Sequence, residues 1–382
     1  MVVIDGLGGL PHPETGKTEL ETARTPNMDA LAKSGICGLI DPIAPGITPG
    51  SAPGHLALFG YDPVSRVIGR GVLEALGVDF DLKVGDVAAR GNFATMDEDG
   101  LLTDRRAGRI STEENDKLCR LLDGQEIDGV KIIVRPVKEH RLVVIFRGHK
   151  LDDKLTDSDP QRLGVTALKI TATNNSSAGM AEVANKFLSR AGEILAKHHP
   201  ANTVLLRGFA KQPLCDSMAD IYKLKAAAIA SYPMYRGLAK VVGMEVLATG
   251  ANIEDEVETL KEHYADYDFF FLHIKATDSA GEDGDFQRKV AVLEDVDRHL
   301  AEVIKMKPDV LVVTGDHSTP AVLKGHSWHP VPLIIHSHWC RTDGVCHFGE
   351  ADCLSGGLGR IPATDIMPLA MANALKLAKF GA

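Results

Sequence analysis

Asp309-Val310-Leu311-Val312-Val313-Thr314-Gly315-Asp316-His317-Ser318-Thr319-Pro320 is the stretch that decides how this chain is read. An apolar, β-branched run reads as a buried strand, a glycine breaks it, and an acid and an imidazole follow at once. Side by side at a strand end, Asp316 and His317 have little to do for packing, whereas both are good cation ligands. The same form recurs elsewhere: Val2-Val3-Ile4 runs into Asp5-Gly6-Leu7-Gly8, and Phe269-Phe270-Phe271-Leu272-His273-Ile274-Lys275 runs on to Asp278 and Glu282. Pro49-Gly50-Ser51 contributes a hydroxyl, and His326 and His329 precede the next buried strand at Val331. Ligands released at the carboxyl ends of strands gather at one edge of an open α/β sheet, where such folds build their sites.

Carboxylate and imidazole together suit Mg, Mn or Zn, and a pair of such ions roughly 3.5 to 4 Å apart clamps the attacking and leaving oxygens of a phosphoryl transfer. Ser51 is then the expected nucleophile, because coordination lowers the pKa of a hydroxyl and no histidine base is needed. Each part has a plainer reading when taken alone. Asp5-Gly6 suits an ordinary turn, Ser51 a helix N-cap, and Asp278 with Glu282 an exposed helical face. The i, i+4 spacing that makes that face also lets both carboxylates reach one ion, and the joint occurrence favours a site.

At 382 residues two domains are expected. Residues 1–77 and 176–382 read as a doubly wound α/β core, with helices Pro26–Ser34, Ala181–His198, Ala219–Tyr232, Glu254–Tyr264, Asp285–Lys305 and Thr364–Ala378. Strands Thr203–Leu206, Met244–Ala248, Phe269–Ile274, Val310–Thr314 and Val331–Ile335 alternate with them. Residues 78–175 carry short strands such as Val130–Val134 and Leu142–Phe146 without full crossover helices, and read as an inserted, smaller α+β domain.

The composition is that of a globular enzyme, with 44% hydrophobic and 25% charged residues. No apolar run approaches the ~20 residues of a membrane helix. The chain opens directly on a strand, without a signal peptide. A net charge of −10 argues against a nucleic-acid surface. Six scattered cysteines without a CxxC pair suit reduced thiols in the cytoplasm. The stretch from His336 to Cys353 could hold a structural zinc, but its irregular intervals favour plain thiols. A homo-oligomer is compatible with all of this. Arg90, Arg105, Arg106, Arg109, Arg135, Arg141 and Arg147 fall within the proposed insert, and arginine forks bind phosphate and carboxylate.

Asp5-Gly6-Leu7-Gly8, Thr25-Pro26-Asn27-Met28-Asp29, Gly50-Ser51, His55 to Pro63, Gly69-Arg70-Gly71, Asp104 to Arg109 and Gly315-Asp316-His317-Ser318, in this order, resemble the archaeal-type, cofactor-independent phosphoglycerate mutases of the alkaline phosphatase superfamily. The resemblance spans nearly the whole chain. It implies an alkaline-phosphatase-like core and conversion of 3- to 2-phosphoglycerate through a phosphorylated Ser51, with two divalent metals and no 2,3-bisphosphoglycerate. Asp5, Ser51, Asp316 and His317 would hold one metal and Asp278, Glu282 and His326 the other. Much of the family has histidine where this chain has Glu282, which favours Mn or Mg over Zn. His326 rather than His329 fits the family pattern. Arg105, Arg106, Arg109, Arg141 and Lys225 are the expected substrate contacts, and Asp104 and His140 the expected proton shuttles for glycerate hydroxyls. Closure of the insert would exclude water, without which a phosphoserine enzyme is a phosphatase. Family members carry residues ahead of the first aspartate, so Met1 reads as a shortened start. A metal-dependent phosphomonoesterase, or a phosphotransferase like the homoserine kinases proposed among bacterial relatives, is the alternative.

Overall fold

The computed structural model describes residues 1–66, 68–213 and 215–381. In chain order the strands are β1 (Val2–Ile4), β2 (Ile36–Asp41), β3 (Val87–Met96), β4 (Leu102–Asp104), β5 (Glu126–Ile127), β6 (Val130–Lys138), β7 (Arg141–Arg147), β8 (Thr203–Ala210), β9 (Ala226–Ile229), β10 (Glu245–Val246), β11 (Phe269–Ile274), β12 (Val310–Thr314), β13 (Val331–Ser337) and β14 (Gly359–Pro362). The chain divides into two compact units, Met1–Val67 with Asp216–Ser231 and Gly243–Ala382, and Ile68–Cys215 with Tyr232–Val242.

The first unit is an eight-stranded sheet in the order β10-β9-β11-β1-β12-β13-β2-β14. β1 lies between β11 and β12 and is parallel to both, so Asp5, Lys275 and Asp316 leave from one edge. β13 runs antiparallel to β12, which brings the segment ahead of it, with His326, to that same edge. β2 is antiparallel to β13 in turn and therefore ends, at Asp41, where the loop to Ser51 begins. Reversing one strand gathers ligands from both the ends and the beginnings of strands.

Two expectations change here. The expected helix Ala219–Tyr232 is instead a short helix, Met218–Tyr222, followed by β9. Lys223 ends that helix in the left-handed region at φ 56°. Ala226, Ala227, Ala228 and Ile229 are all buried between β10 and β11. Small apolar residues buried on both faces suit an interior parallel strand, so helix propensity was overridden by tertiary packing.

The second unit is a sheet in the order β4-β3-β7-β6-β5, with β8 also paired to β3. It is wider than the 78–175 drawn from the sequence. Helix Ala178–Leu195 and β8, expected in the core, belong here: Met180, Val183, Phe187, Leu195, Val204 and Leu206 share one apolar cluster with Val87, Phe93, Ile132 and Val144. Apolar periodicity places a helix against some sheet, but it does not say which.

Candidate metal and phosphoryl-transfer site

Two groups of ligand atoms converge in the first unit, Asp5 with Asp316 and His317, and Asp278 with His317 and His326, the atoms of each lying within 4.8 Å of one another. His317 Nε2 is 3.3 Å from Asp5 Oδ1 and 3.1 Å from Asp316 Oδ2. Ser51, the first residue of helix Ser51–Leu58, has its Oγ 3.2 Å from the same nitrogen. His326 Nε2 stands 3.6 Å from Asp278 Oδ1, and its Nδ1 is 2.9 Å from the Pro49 carbonyl. The His317 and His326 rings stack with centroids 3.7 Å apart.

The grouping differs from the expected one at two places. His317 belongs to both groups. Glu282 belongs to neither: helix Ala276–Asp283 carries it one turn beyond Asp278, its side chain is 56% exposed, and its Oε1 is 4.0 Å from His326 Nε2. His329 pairs with Ser327 Oγ at 3.0 Å and stacks on Trp328, apart from both groups. No cysteine belongs to either group.

The electrostatics fit divalent cations. Burial pushes the Asp5 carboxyl up, but Lys275, His273 and His317 outweigh it and hold it well below the ordinary carboxylate range. Burial and Asp5 push Asp316 up, while His317 and His55 prevail and lower it. His317 is lowered by burial more than Asp316 and Asp5 raise it. Anionic carboxylates beside neutral imidazoles are the protonation states that metal binding requires. Lys275, 3.0 Å from Asp5 Oδ2 and also paired with Asp278, offsets one of the three buried negative charges of Asp5, Asp278 and Asp316. Asp316 Oδ2 is buried with His55 Nδ1 and His317 Nε2 each 3.1 Å away. Buried carboxylates crowded in this way are what bound cations would compensate.

The second unit holds a basic cluster. Arg90, His140, Arg141 and Arg207 are largely buried, with Arg106 and Arg109 near enough to act on His140. The Nε atoms of Arg141 and Arg207 are buried and make no hydrogen bond. Burial and the neighbouring Arg90 and Arg70 lower Arg207 to about 10. Burial and the surrounding arginines likewise lower His140 to about 4, so its ring is neutral at physiological pH. Such crowding of like charge, partly offset at Arg90 by the buried Glu74 3.7 Å away, is what a bound anion would relieve.

Other expected contacts are engaged elsewhere. Arg105 makes a bidentate pair with Asp159, at 2.7 and 2.6 Å. Arg135 pairs with Asp123 and Arg147 with Asp86. Asp104 accepts from the backbone N–H groups of Arg106, at 2.7 Å, and Gly108, at 2.6 Å, so it shapes the arginine loop. Lys225 donates to the Asp266 carbonyl at 2.9 Å and lies over the Tyr267 ring, ahead of β9 and hence at the sheet edge opposite the ligands. Sequence reasoning gave no role to His55, His273, Lys275, Thr319 or Arg207. Alternation within β11 carried the signal for His273, an imidazole inside an otherwise apolar strand.

The side chains of the two ligand groups gather at one edge of a predominantly parallel α/β sheet whose chain is interrupted by a second compact unit. The family model described as 2,3-bisphosphoglycerate-independent phosphoglycerate mutase matches residues 32–202. A probable 2,3-bisphosphoglycerate-independent phosphoglycerate mutase of Aquifex aeolicus is 52% identical over 392 residues, covering 100% of this chain and 96% of the relative. Its Thermus thermophilus counterpart is 49% identical, covering 100% of this chain and 95% of the relative. Among solved structures, a Pyrococcus horikoshii protein superposes with TM-score 0.87 at 34% identity, covering 100% and 98% of the two chains. The cofactor-independent phosphoglycerate mutase of Thermoplasma acidophilum gives 0.70 at 32%, covering 98% of each. This chain belongs to the 2,3-bisphosphoglycerate-independent phosphoglycerate mutase family, a family of isomerases.

Proposed function

We propose that this protein interconverts 3-phosphoglycerate and 2-phosphoglycerate, the glycolytic and gluconeogenic reaction, through a phosphoserine at Ser51 and without 2,3-bisphosphoglycerate. The observation that carries the proposal is the placement of Ser51 Oγ 3.2 Å from His317 Nε2, beside Asp5 and Asp316. Ser51 attacks phosphorus, the bond to the glycerate 3-oxygen breaks, and that oxygen takes up a proton while the serine loses one. The 2-hydroxyl then attacks the phosphoserine, with the proton movements reversed. Two in-line displacements retain configuration at phosphorus.

Asp5, Asp316 and His317 would hold one divalent cation, with Ser51 beside it, and Asp278 and His326 a second, since a neutral imidazole has one lone pair to give. Bound there, the cations would neutralise the charge of the transferring phosphoryl group. Around the first cation carboxylates outnumber imidazoles, which favours Mn or Mg over Zn there, while Glu282 does not join the second group to add a further oxygen. Arg141, Arg106, Arg109, Arg90 and Arg207 would bind the anionic groups of the glycerate, and His140, neutral beside them, would shuttle a hydroxyl proton once those bound anions offset the arginine charge that lowers it. Such a substrate is a small phosphorylated acid, and the reading is of a cytoplasmic enzyme with neither nucleic acid nor membrane as partner. Among the described residues no helix is long and apolar enough to cross a membrane.

Phosphorus NMR of the metal-stripped protein, reloaded with Mn and given 3-phosphoglycerate alone, should show 2-phosphoglycerate accumulating. Inorganic phosphate in its place would make the protein a phosphomonoesterase, and no turnover would remove the activity altogether. Ser51→Ala should abolish the reaction while sparing Mn uptake; an active variant would take serine out of the mechanism.

A further inference from the structure

We propose that Thr319 is a positioning residue that fixes the tautomer of His317, leaving Nε2 bare towards Asp5, Asp316 and Ser51. Thr319 is completely buried, and its Oγ1 lies 2.7 Å from Asp278 Oδ1 and 2.9 Å from His317 Nδ1. A threonine hydroxyl has a single proton, and a carboxylate can only accept. The hydroxyl therefore donates to Asp278, and the proton between Thr319 and His317 must come from the imidazole. In the neutral ring this puts the hydrogen on Nδ1 and a lone pair on Nε2, the atom 3.1 to 3.3 Å from Asp316, Ser51 and Asp5. The opposite tautomer would set two acceptors face to face at Nδ1, whereas the Nε2 lone pair faces Ser51 Oγ, which can donate to it, and the Asp5 and Asp316 oxygens, whose repulsion a cation would relieve.

The surroundings hold Thr319 in place for this. Lys289 is fully buried and its Nζ donates to the carbonyls of Thr319 and Gly8, both at 2.9 Å, while Thr319 N donates to Gly8 O at 3.0 Å. Glycines line the approach: a Cβ on Gly6 would come within 2.6 Å of Thr319 Oγ1, and one on Gly281 within 2.2 Å of Thr319 O. Through this one hydroxyl, Asp278 of one ligand group is tied to the imidazole of the other.

The inference rests on the reading of these groups as divalent-cation sites, and two measurements separate its failure from that of the reading. Long-range proton–nitrogen NMR of histidine-labelled, metal-stripped wild type at alkaline pH, with His317 assigned by its loss in His317→Asn, should show Nδ1 protonated. Calorimetric titration with Mn should show Thr319→Val, which keeps the shape and loses the hydroxyl, binding roughly 10- to 100-fold more weakly, with Thr319→Ser restored to within about threefold of wild type. A His317 protonated at Nε2, or a Thr319→Val protein that binds Mn as tightly as wild type, would overturn the proposal. A wild type that binds no Mn would overturn the cation-site reading instead, and the tautomer measurement would still decide the role of Thr319.

Discussion

At the scale of single residues, the candidate ligands legible in the sequence were those whose chemistry conflicts with their place. Asp5, Asp316 and His317 follow directly on buried strands, where a packing role is hard to supply. Lysines and arginines carry no such conflict, since any of them is at home on a surface, and their roles depend on partners far away in sequence. Arg105 is bound by Asp159, 54 residues on, and nothing local announces that. Lys225 is the sharpest case. With its ammonium on the Asp266 carbonyl and the four residues of β9 between it and the ligand-bearing edge, it stands roughly 13 Å from that edge. Lys225→Ala should therefore leave kcat/KM within about threefold of wild type, while Arg141→Ala, by removing charge-assisted contacts of about 1.5 to 3 kcal/mol, should raise KM for phosphoglycerate by about 10- to 100-fold. Steady-state kinetics on both variants checks this, and a tenfold loss from Lys225→Ala would return that lysine to the substrate.

At the scale of elements, the core strands β1, β11 and β12 were readable because continuous apolar runs ending in polar ligands leave little choice, whereas β9 was not. Ala226-Ala227-Ala228 has the composition of a helix, and only its burial between two neighbours makes it a strand. The antiparallel course of β13 was equally hidden, although it is the reason His326 reaches Asp278. Ser51 depends on how closely its helix seats on the loop after β12. Gly54, within that helix, is so near the loop that a Cβ there would lie 2.4 Å from Asp316 O, a backbone atom unable to turn aside. Gly54→Ala must then push the helix outward. A shift near 1 Å at a reacting atom costs about 100-fold in rate, and overpacking costs about 1 to 3 kcal/mol in stability. We expect kcat to fall by about that factor with a lower melting temperature; a fully active variant would show that Ser51 does not need this seat.

At the scale of the whole molecule, the two-part organisation was legible from the change in element pattern, but its bounds were not, because membership of a core is decided by long-range contact. Helix Ala178–Leu195 looks like a crossover helix of the first unit, and it is the apolar cluster around Phe187 that assigns it to the second. The first unit also contains a buried acid remote in role from the ligand groups, and its titration should be visible in the stability of the protein. Burial pushes Glu256, on helix Ile253–His263, up to about 7 against hydrogen bonds with Ser231 that lower it. The folded protein thus holds this proton more tightly than the unfolded chain, whose glutamate titrates near 4.5. Between these values the native state binds more protons, so stability is full below pH 4.5 and declines as pH rises towards 7. At about 1.4 kcal/mol per unit the loss is roughly 3 kcal/mol. The lowered carboxyls of Asp5 and Asp316 act with the opposite sign, gaining stability as pH rises, so the test is a difference between proteins. Glu256→Gln, an uncharged stand-in for the protonated acid, should remove the decline and be more stable than wild type at pH 8. Calorimetric melting of both proteins across pH 4 to 8 measures it, and parallel curves would mean that Glu256 stays ionised in the fold.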